Sequence, residues 1–244
     1  MRVLGIDTAT ATASVALVED GKLIAEEIHR CNSQPRSSSS GASRPNHAEI
    51  LLPLVDRLSK KTGIHLRDLA ALAISIGPGS FTGLRIGLST VKGLAYGCGI
   101  PVVGVPTLGA VAARVTDWDG LICPFLDARK KEVYAALFRK KGESLERLAD
   151  DAVCAPERVI GHIQSRREGK PCLFIGAGVR VYGSLIQDLL GEGAILAVEE
   201  RYPSVASAVA RLGEEKLARV GGDPVGPLVP LYLRPSEAEL KRRG

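Results

Sequence analysis

Two short apolar strands, each ending in an aspartate, open the two halves of this 244-residue chain. The first, residues 3–7, passes through a turn of small residues into a strand at 12–18. Glu19-Asp20-Gly21-Lys22 then turns the chain into a third strand at 23–29. The second, residues 121–127, is followed by a return strand at 132–139. An acid-ended strand that folds back on itself, met twice, reads as a duplicated unit. Helices and apolar strands alternate after each opening: a helix from 46 to 62, a strand at 72–76, a helix to about 97, a strand at 100–105 and a helix at 107–115. The second half continues with a helix at 157–167, a strand at 171–175, a helix at 182–190, a strand at 194–198 and a long helix at 204–220. The pattern is α/β, with one lobe expected at 1–113 and the other at 114–244, and with the C-terminal segment a candidate to return to the first lobe.

Local signals refine this outline. Asn46 and Glu49 have capping-box spacing, Gly63 follows the helix end, and Ile50, Leu51, Leu54, Val55 and Leu58 make one apolar stripe that Pro53 is expected to kink. Residues 30–45 hold four consecutive serines and no apolar anchor beyond Cys31 and Ala42, so a mobile loop is expected there. Residues 93–113 carry no charge and are long enough to span a bilayer, but five glycines with Pro101 and Pro106 make them read as helix end, strand, turn and helix. No signal peptide is expected, because Asp7 interrupts the apolar start. Five cysteines at irregular spacings, with no C-x-x-C pair, argue against a disulfide framework and for a reducing cytoplasm.

The motifs leave several uses open. Asp7, Thr8 and Thr10 at a strand end suit Mg²⁺ and a nucleotide phosphate, or a strand-terminal aspartate that caps a turn. Gly77-Pro-Gly-Ser-Phe-Thr-Gly-Leu-Arg85 is no Walker A loop. It can point helix amides at an anion or simply make a tight strand-to-helix connection. Gly79, Gly83 and Gly87 recur every four residues, as do Gly93 and Gly97, and this spacing favours close approach of a second helix over a phosphate cradle. His29, His47, His65 and His162 make no metal-ligand pair, and no G-x-S-x-G nucleophile elbow occurs, so neither a metal site nor a catalytic residue is assigned. The formal charge is +5; residues 30–45 contribute +3 and residues 128–142 +5, so the remainder is net negative. The runs Arg129-Lys130-Lys131, Arg139-Lys140-Lys141 and Lys241-Arg242-Arg243 suit phosphate contacts or a solvated face. Aromatics at 4% weaken any base-stacking reading.

Four stretches together resemble the TsaB (YeaZ) family of bacterial subunits in tRNA threonylcarbamoyladenosine (t6A) synthesis. They are Val3-Leu-Gly-Ile-Asp-Thr-Ala-Thr10, Gly77 through Gly87, Asp127-Ala-Arg with Glu132-Val-Tyr134, and Pro230-Leu-Tyr-Leu-Arg234. The Ser-rich stretch at 36–44 is longer than that pattern. The resemblance implies two ribonuclease-H-like lobes of the actin/Hsp70/sugar-kinase type. It also implies a chain without activity of its own that works with the paralogue TsaD and the ATPase TsaE on N6 of adenosine 37 in tRNA, and that forms a homodimer in isolation. ATP or ADP with Mg²⁺ would belong to the complex, with Asp7, Thr8, Thr10 and Asp127 as a vestigial nucleotide site. Where TsaD-like proteins carry a His-x-x-x-His metal pair, this chain has Thr107 and Val111. The first-lobe helices would pair with the partner through Ile50, Leu54, Leu58, Gly83, Gly87 and Leu94. A stand-alone ATPase or phosphotransferase using Asp7 and Asp127 is the alternative, with a metallopeptidase-like activity behind it.

Overall fold

The computed structural model describes residues 1–30 and 47–234. The Asn46 cap, the Ser-rich stretch from residue 31 and the basic tail at 241–243 lie outside the described residues. The chain divides into two compact units, one of residues 1–76, 82–105 and 204–230, the other of residues 77–81, 106–203 and 231–244.

The first unit is built on β1 (Arg2–Asp7), β2 (Thr12–Glu19) and β3 (Lys22–Arg30), an antiparallel meander. Helix α1 (His47–Thr62) follows, then β4 (Ala71–Gly77), which pairs parallel to β1, helix α2 (Phe81–Cys98) and β5 (Val102–Pro106). The sheet order is β3-β2-β1-β4-β5. In β1 and β4 nearly every residue is buried, as expected of central strands covered on both faces. One face packs under α1 and α2, where Ile50, Leu51, Leu54, Val55 and Leu58 meet Leu4, Ile6, Val15, Leu17, Leu72 and Ile74. Each such side chain contributes about 1.5–3 kcal/mol relative to exposure.

The second unit holds α3 (Thr107–Ala113), β6 (Gly120–Arg129), β7 (Glu132–Lys141) and β8 (Ser144–Cys154). It continues with α4 (Pro156–Arg166), β9 (Cys172–Ile175), α5 (Ala177–Leu190) and β10 (Ala194–Leu196). Its order, β10-β9-β6-β7-β8, repeats that of the first sheet strand for strand. In both, an antiparallel meander meets parallel strands on the far side of its first strand.

The duplicated half-chains are not the structural units. Helix α3, expected in a first lobe ending at 113, packs on β6 and β7 in the second unit. Helix α6 (Val205–Val220), the last helix of the chain, packs on β1 and β2 in the first. Small residues make this second contact possible. A Cβ on Gly5 would stand 2.1 Å from the Ala206 carbonyl oxygen and 2.6 Å from the Ala210 nitrogen, and one on Gly213 2.4 Å from Ala73 Cβ. Only bare backbone allows helix and sheet this close.

Strand β8 is absent from the sequence-based outline. It is an edge strand rich in charged residues, with two register shifts against β7, so it shows no clean alternation. The uncharged stretch 93–113 resolves into the end of α2, then β5, then α3, and no helix among the described residues is long and apolar enough to cross a membrane.

Candidate functional site: the strand-end aspartate and the motif segments

Asp7 ends β1 fully buried. Its Oδ1 accepts hydrogen bonds from Ser75 Oγ on β4 (2.6 Å) and from the Ala9 amide (3.2 Å), and its Oδ2 accepts one from Thr10 Oγ1 (2.5 Å). Burial pushes the carboxyl above the ordinary value of 3.8, while the Ser75 and Thr10 hydroxyls and the turn amides pull it back. Three of the roughly four acceptor positions of a carboxylate are thus filled from within the unit. Thr8, also fully buried, donates to the Gly83 carbonyl at 2.8 Å and ties the same turn to α2. Ser75 was not singled out from the sequence. It is the one polar side chain in an apolar strand, and a lone hydroxyl there signals a buried partner.

Asp127, the corresponding residue of the second unit, is half-buried and caps its own turn. Its Oδ1 accepts the Arg129 amide at 2.9 Å, and Arg129 Nη1 lies 3.7 Å from Oδ2. The turn takes Arg129, Lys130 and Lys131 through left-handed backbone, with φ of 63°, 53° and 62°. Among the described residues no cluster of three His, Cys, Asp or Glu side chains is placed to hold a metal. Thr107 and Val111 lie buried on α3, and the Thr107 hydroxyl accepts the Gly77 amide at 3.0 Å. An alcohol already engaged and an isopropyl group do not fit the two-imidazole ligand set.

Three motif segments far apart in sequence meet in the second unit. Gly77 has φ of +120°, and an added Cβ would lie 2.5 Å from the Leu231 carbonyl oxygen, so glycine is required on both counts. Phe81 stacks on Tyr232 with centroids 4.8 Å apart. Arg234 closes the group, pairing with Glu132 at 2.7 Å and donating to the Ala128 carbonyl at 3.1 Å. The glycine loop is therefore a tight strand-to-helix connection locked by the C-terminal Leu-Tyr-Leu-Arg.

The helix positions expected to meet a partner are mostly buried within the unit itself. Ile50, Leu54 and Leu58 are core residues, and Leu94 is half-buried against the same core. Gly83 is buried, and a Cβ on Gly87 would stand 2.1 Å from Thr8 Oγ1, so this pair of glycines serves contacts inside the unit. Gly93 and Gly97 differ, since an added Cβ at either meets nothing within 4 Å. Helical geometry explains Gly93, since six residues at about 100° each place it roughly 120° around the axis from Gly87, while Gly97 stands at the end of the helix. The outward face of α2 carries Gly93, Gly97 and Tyr96, the last 69% exposed; on α1 it includes Leu52 at 50%.

Residues 40–241 match the family described as TsaD: tRNA N6-adenosine threonylcarbamoyltransferase. Over 99% of its length the chain is 32% identical to the tRNA threonylcarbamoyladenosine biosynthesis protein TsaB of Bacillus subtilis, covering 97% of that protein. It is 34% identical to the protein of the same name from Escherichia coli, over 83% of this chain and 85% of the relative. Among solved structures, YeaZ from Pseudomonas aeruginosa superposes with a TM-score of 0.75 at 27% identity, over 95% of this chain and 99% of the other. The ethanolamine utilization protein EutJ from Carboxydothermus hydrogenoformans shares the fold alone, with a TM-score of 0.54 at 12% identity over 87% of this chain and 90% of the other.

Proposed function

The chain belongs to the TsaB/TsaD family of tRNA threonylcarbamoyladenosine proteins, and we propose on that footing that it is the non-catalytic subunit of a t6A-forming complex. Its near full-length similarity to proteins named TsaB supports the role in t6A synthesis. The observation that carries the non-catalytic part is the pair of α3 positions. There the paralogue's histidine ligands are replaced by a hydroxyl bound to Gly77 and by a buried valine. The chain then contributes surfaces rather than reacting groups. The family supplies a TsaD paralogue as the partner that carries the transfer chemistry and a TsaE-type ATPase as a further component. Self-association in the absence of TsaD belongs to the same reading. The outward faces of α1 and α2, with Leu52, Gly93, Tyr96 and Gly97, are the surface assigned to TsaD, because small residues there let a second helix come close.

Reconstitution tests both parts. Supplied with tRNA, ATP and threonylcarbamoyl-adenylate as donor, the purified chain alone should turn over no ATP and form no t6A. The mixture with TsaD and TsaE should transfer the threonylcarbamoyl group to tRNA and release AMP. ATP turnover by the chain alone at the rate of the full mixture would overturn the subunit reading. Gly93→Arg and Gly97→Arg should abolish co-purification with TsaD while leaving the chain's melting curve unchanged. Undiminished co-purification would remove these faces from the interface.

A further inference from the structure

Six cationic side chains, Arg139, Lys140, Lys141, Arg166, Arg167 and Lys170, line a single cleft of about 530 Å³ within the second unit. They come from the end of β7, the end of α4 and the turn that leads into β9. Two acids share the cleft, Asp119 and Glu168, and Asp119 is occupied, its Oδ1 accepting the Gly142 amide at 2.8 Å. Among the described residues the ion pair made by these cations is Arg139 to Glu146, at 4.0 Å. Their other bonds go to neutral acceptors: Lys140 to the Gly142 carbonyl, Arg166 to the Leu148 carbonyl, and Arg167 to Gln164 and the Lys170 carbonyl. Elsewhere on the chain basic residues sit against carboxylates, as in Arg2–Glu19, Lys60–Asp56, Lys216–Asp223 and Arg234–Glu132, all at 2.7–2.8 Å. The cleft lining therefore carries a net charge of +4, six cations against Asp119 and Glu168, and a concave wall focuses its field.

We propose that this cleft binds the sugar–phosphate backbone of RNA. A single nucleotide is a poor match, since no aromatic side chain lines the cleft to take a base. An anionic membrane is a poor match as well: Leu121 is the lone apolar lining side chain and is itself buried, so nothing is offered for insertion. A polyphosphate backbone needs neither. Arg139 and Lys141 alternate onto one side of β7, roughly 6.8 Å apart, so the strand offers two cations side by side to a chain of phosphates. Arg167 is held in position, because its guanidinium lies where a Cβ on Gly193 would be, 2.7 Å from Cζ. The choice of RNA among polyanions rests on the t6A reading; the net positive charge does not.

The test compares the full chain with Lys141→Glu/Lys170→Glu, both exposed side chains. An equal change of net charge at exposed sites in the first unit, Lys22→Glu/Arg219→Glu, serves as control. Binding to fluorescently labelled tRNA is followed by anisotropy across a salt series. Trp118, the chain's single tryptophan, packs against the cleft residue Gly120 and gives a second, label-free signal. The cleft variant should bind at least tenfold more weakly than the control pair, with a log–log salt slope shallower by about two. Equal loss in both variants, no loss in either, or no binding by the unaltered chain would overturn the proposal. So would a loss confined to tripolyphosphate or phosphatidylserine vesicles. Reconstituted t6A synthesis separates the two levels. Modification without cleft-dependent tRNA binding removes the cleft alone, while cleft-dependent binding without any modification removes the functional reading and leaves the cleft.

Discussion

Gly87→Ala distinguishes a glycine used inside the first unit from one reserved for a partner. A Cβ at this position would stand 2.1 Å from Thr8 Oγ1, 3.2 Å from Ile74 Cδ1 and 3.3 Å from Thr8 Cβ. The Thr8 side chain must swing by about 1 Å to restore ordinary contact, in a region with no free volume. The swing breaks its 2.8 Å bond to the Gly83 carbonyl, and a buried hydroxyl left unbonded costs about 1–3 kcal/mol. Forcing χ1 from its well adds about 0.5–1.5 kcal/mol. Alanine's better helix propensity returns about 1 kcal/mol. The net expectation is a loss of about 2 kcal/mol, or a fall in Tm of about 4–8 °C for a chain of this length. Thr8→Ala alone should lose about 1 kcal/mol with its hydrogen bond. The double variant should be no less stable than Thr8→Ala, giving a coupling of about 2 kcal/mol in a double-mutant cycle. Urea melts of the isolated chain read all four corners. A Gly87→Ala melt within about 0.5 kcal/mol of the unaltered chain, or additive losses, would refute the reasoning and return Gly87 to the partner surface.

Other substitutions probe the same packing. Gly5→Ala forces a Cβ onto the backbone of α6 at 2.1 and 2.6 Å, which no rotamer change relieves; a loss at or above about 3 kcal/mol is expected by thermal melting. Gly93→Ala, with open space around the new methyl, should instead gain up to about 1 kcal/mol, and a loss would show that the α2 surface is not free. Asp7 has a carboxyl raised by burial, so the native state holds its proton above the pH at which the unfolded chain releases it. Stability therefore declines as pH rises from near 3.8 through the raised value. Asp7→Asn cannot titrate, so the stability of the unaltered chain relative to the variant should fall over that window in denaturant melts, and a constant difference would contradict the assignment. Tyr232→Ala removes the stack on Phe81 and should cost about 0.5–1.5 kcal/mol beyond the area it uncovers.

Much of the architecture was legible because it rests on short-range patterns. Acid-ended strands at Asp7 and Asp127, the apolar run before Gly77 and the α1 stripe all follow from alternation and helical period. What periodicity cannot tell is which surface a face will meet. The stripe at Ile50, Leu54 and Leu58 is what a partner-binding bundle needs, and it is equally what a helix needs to lie on its own sheet; the chain spends it on the sheet. The return of a C-terminal segment to the first lobe was anticipated, but the passage of α3 to the second unit was hidden for a similar reason. Either helix, α3 or α6, is apolar enough to cover a sheet, and the choice is made by shape, through Gly5 lying bare beneath α6 and Gly213 of α6 lying bare against Ala73. The difference between Gly87 and Gly93 was within reach of arithmetic, since a spacing of six turns Gly93 about 120° from Gly87, whereas Gly97, about 40° from Gly83, is open at the helix end. Strand β8 was out of reach, because its exposed edge carries charge where a half-buried strand would alternate.

The motif residues share a physical property that bears on function. The carboxylate of Asp7, the hydroxyls of Thr8 and Thr10, the amide of Gly77 and the guanidinium of Arg234 are all consumed in bonds within their own unit. A group held this way is expensive to redirect, because a ligand would have to replace a buried hydrogen bond before gaining one of its own. The cleft at the end of β7 is the opposite case, with six cations against two lining acids and, among the described residues, one long ion pair, to Glu146. A ligand arriving there displaces water and counterions, and each phosphate it brings relieves repulsion already present. Conformational rigidity is thus concentrated on the motifs and net positive charge off them. The proposed subunit, holding a catalytic partner through helix faces and a nucleic acid through a basic groove, accords with that distribution, whereas a phosphotransferase using Asp7 would first have to release it from Ser75 and Thr10.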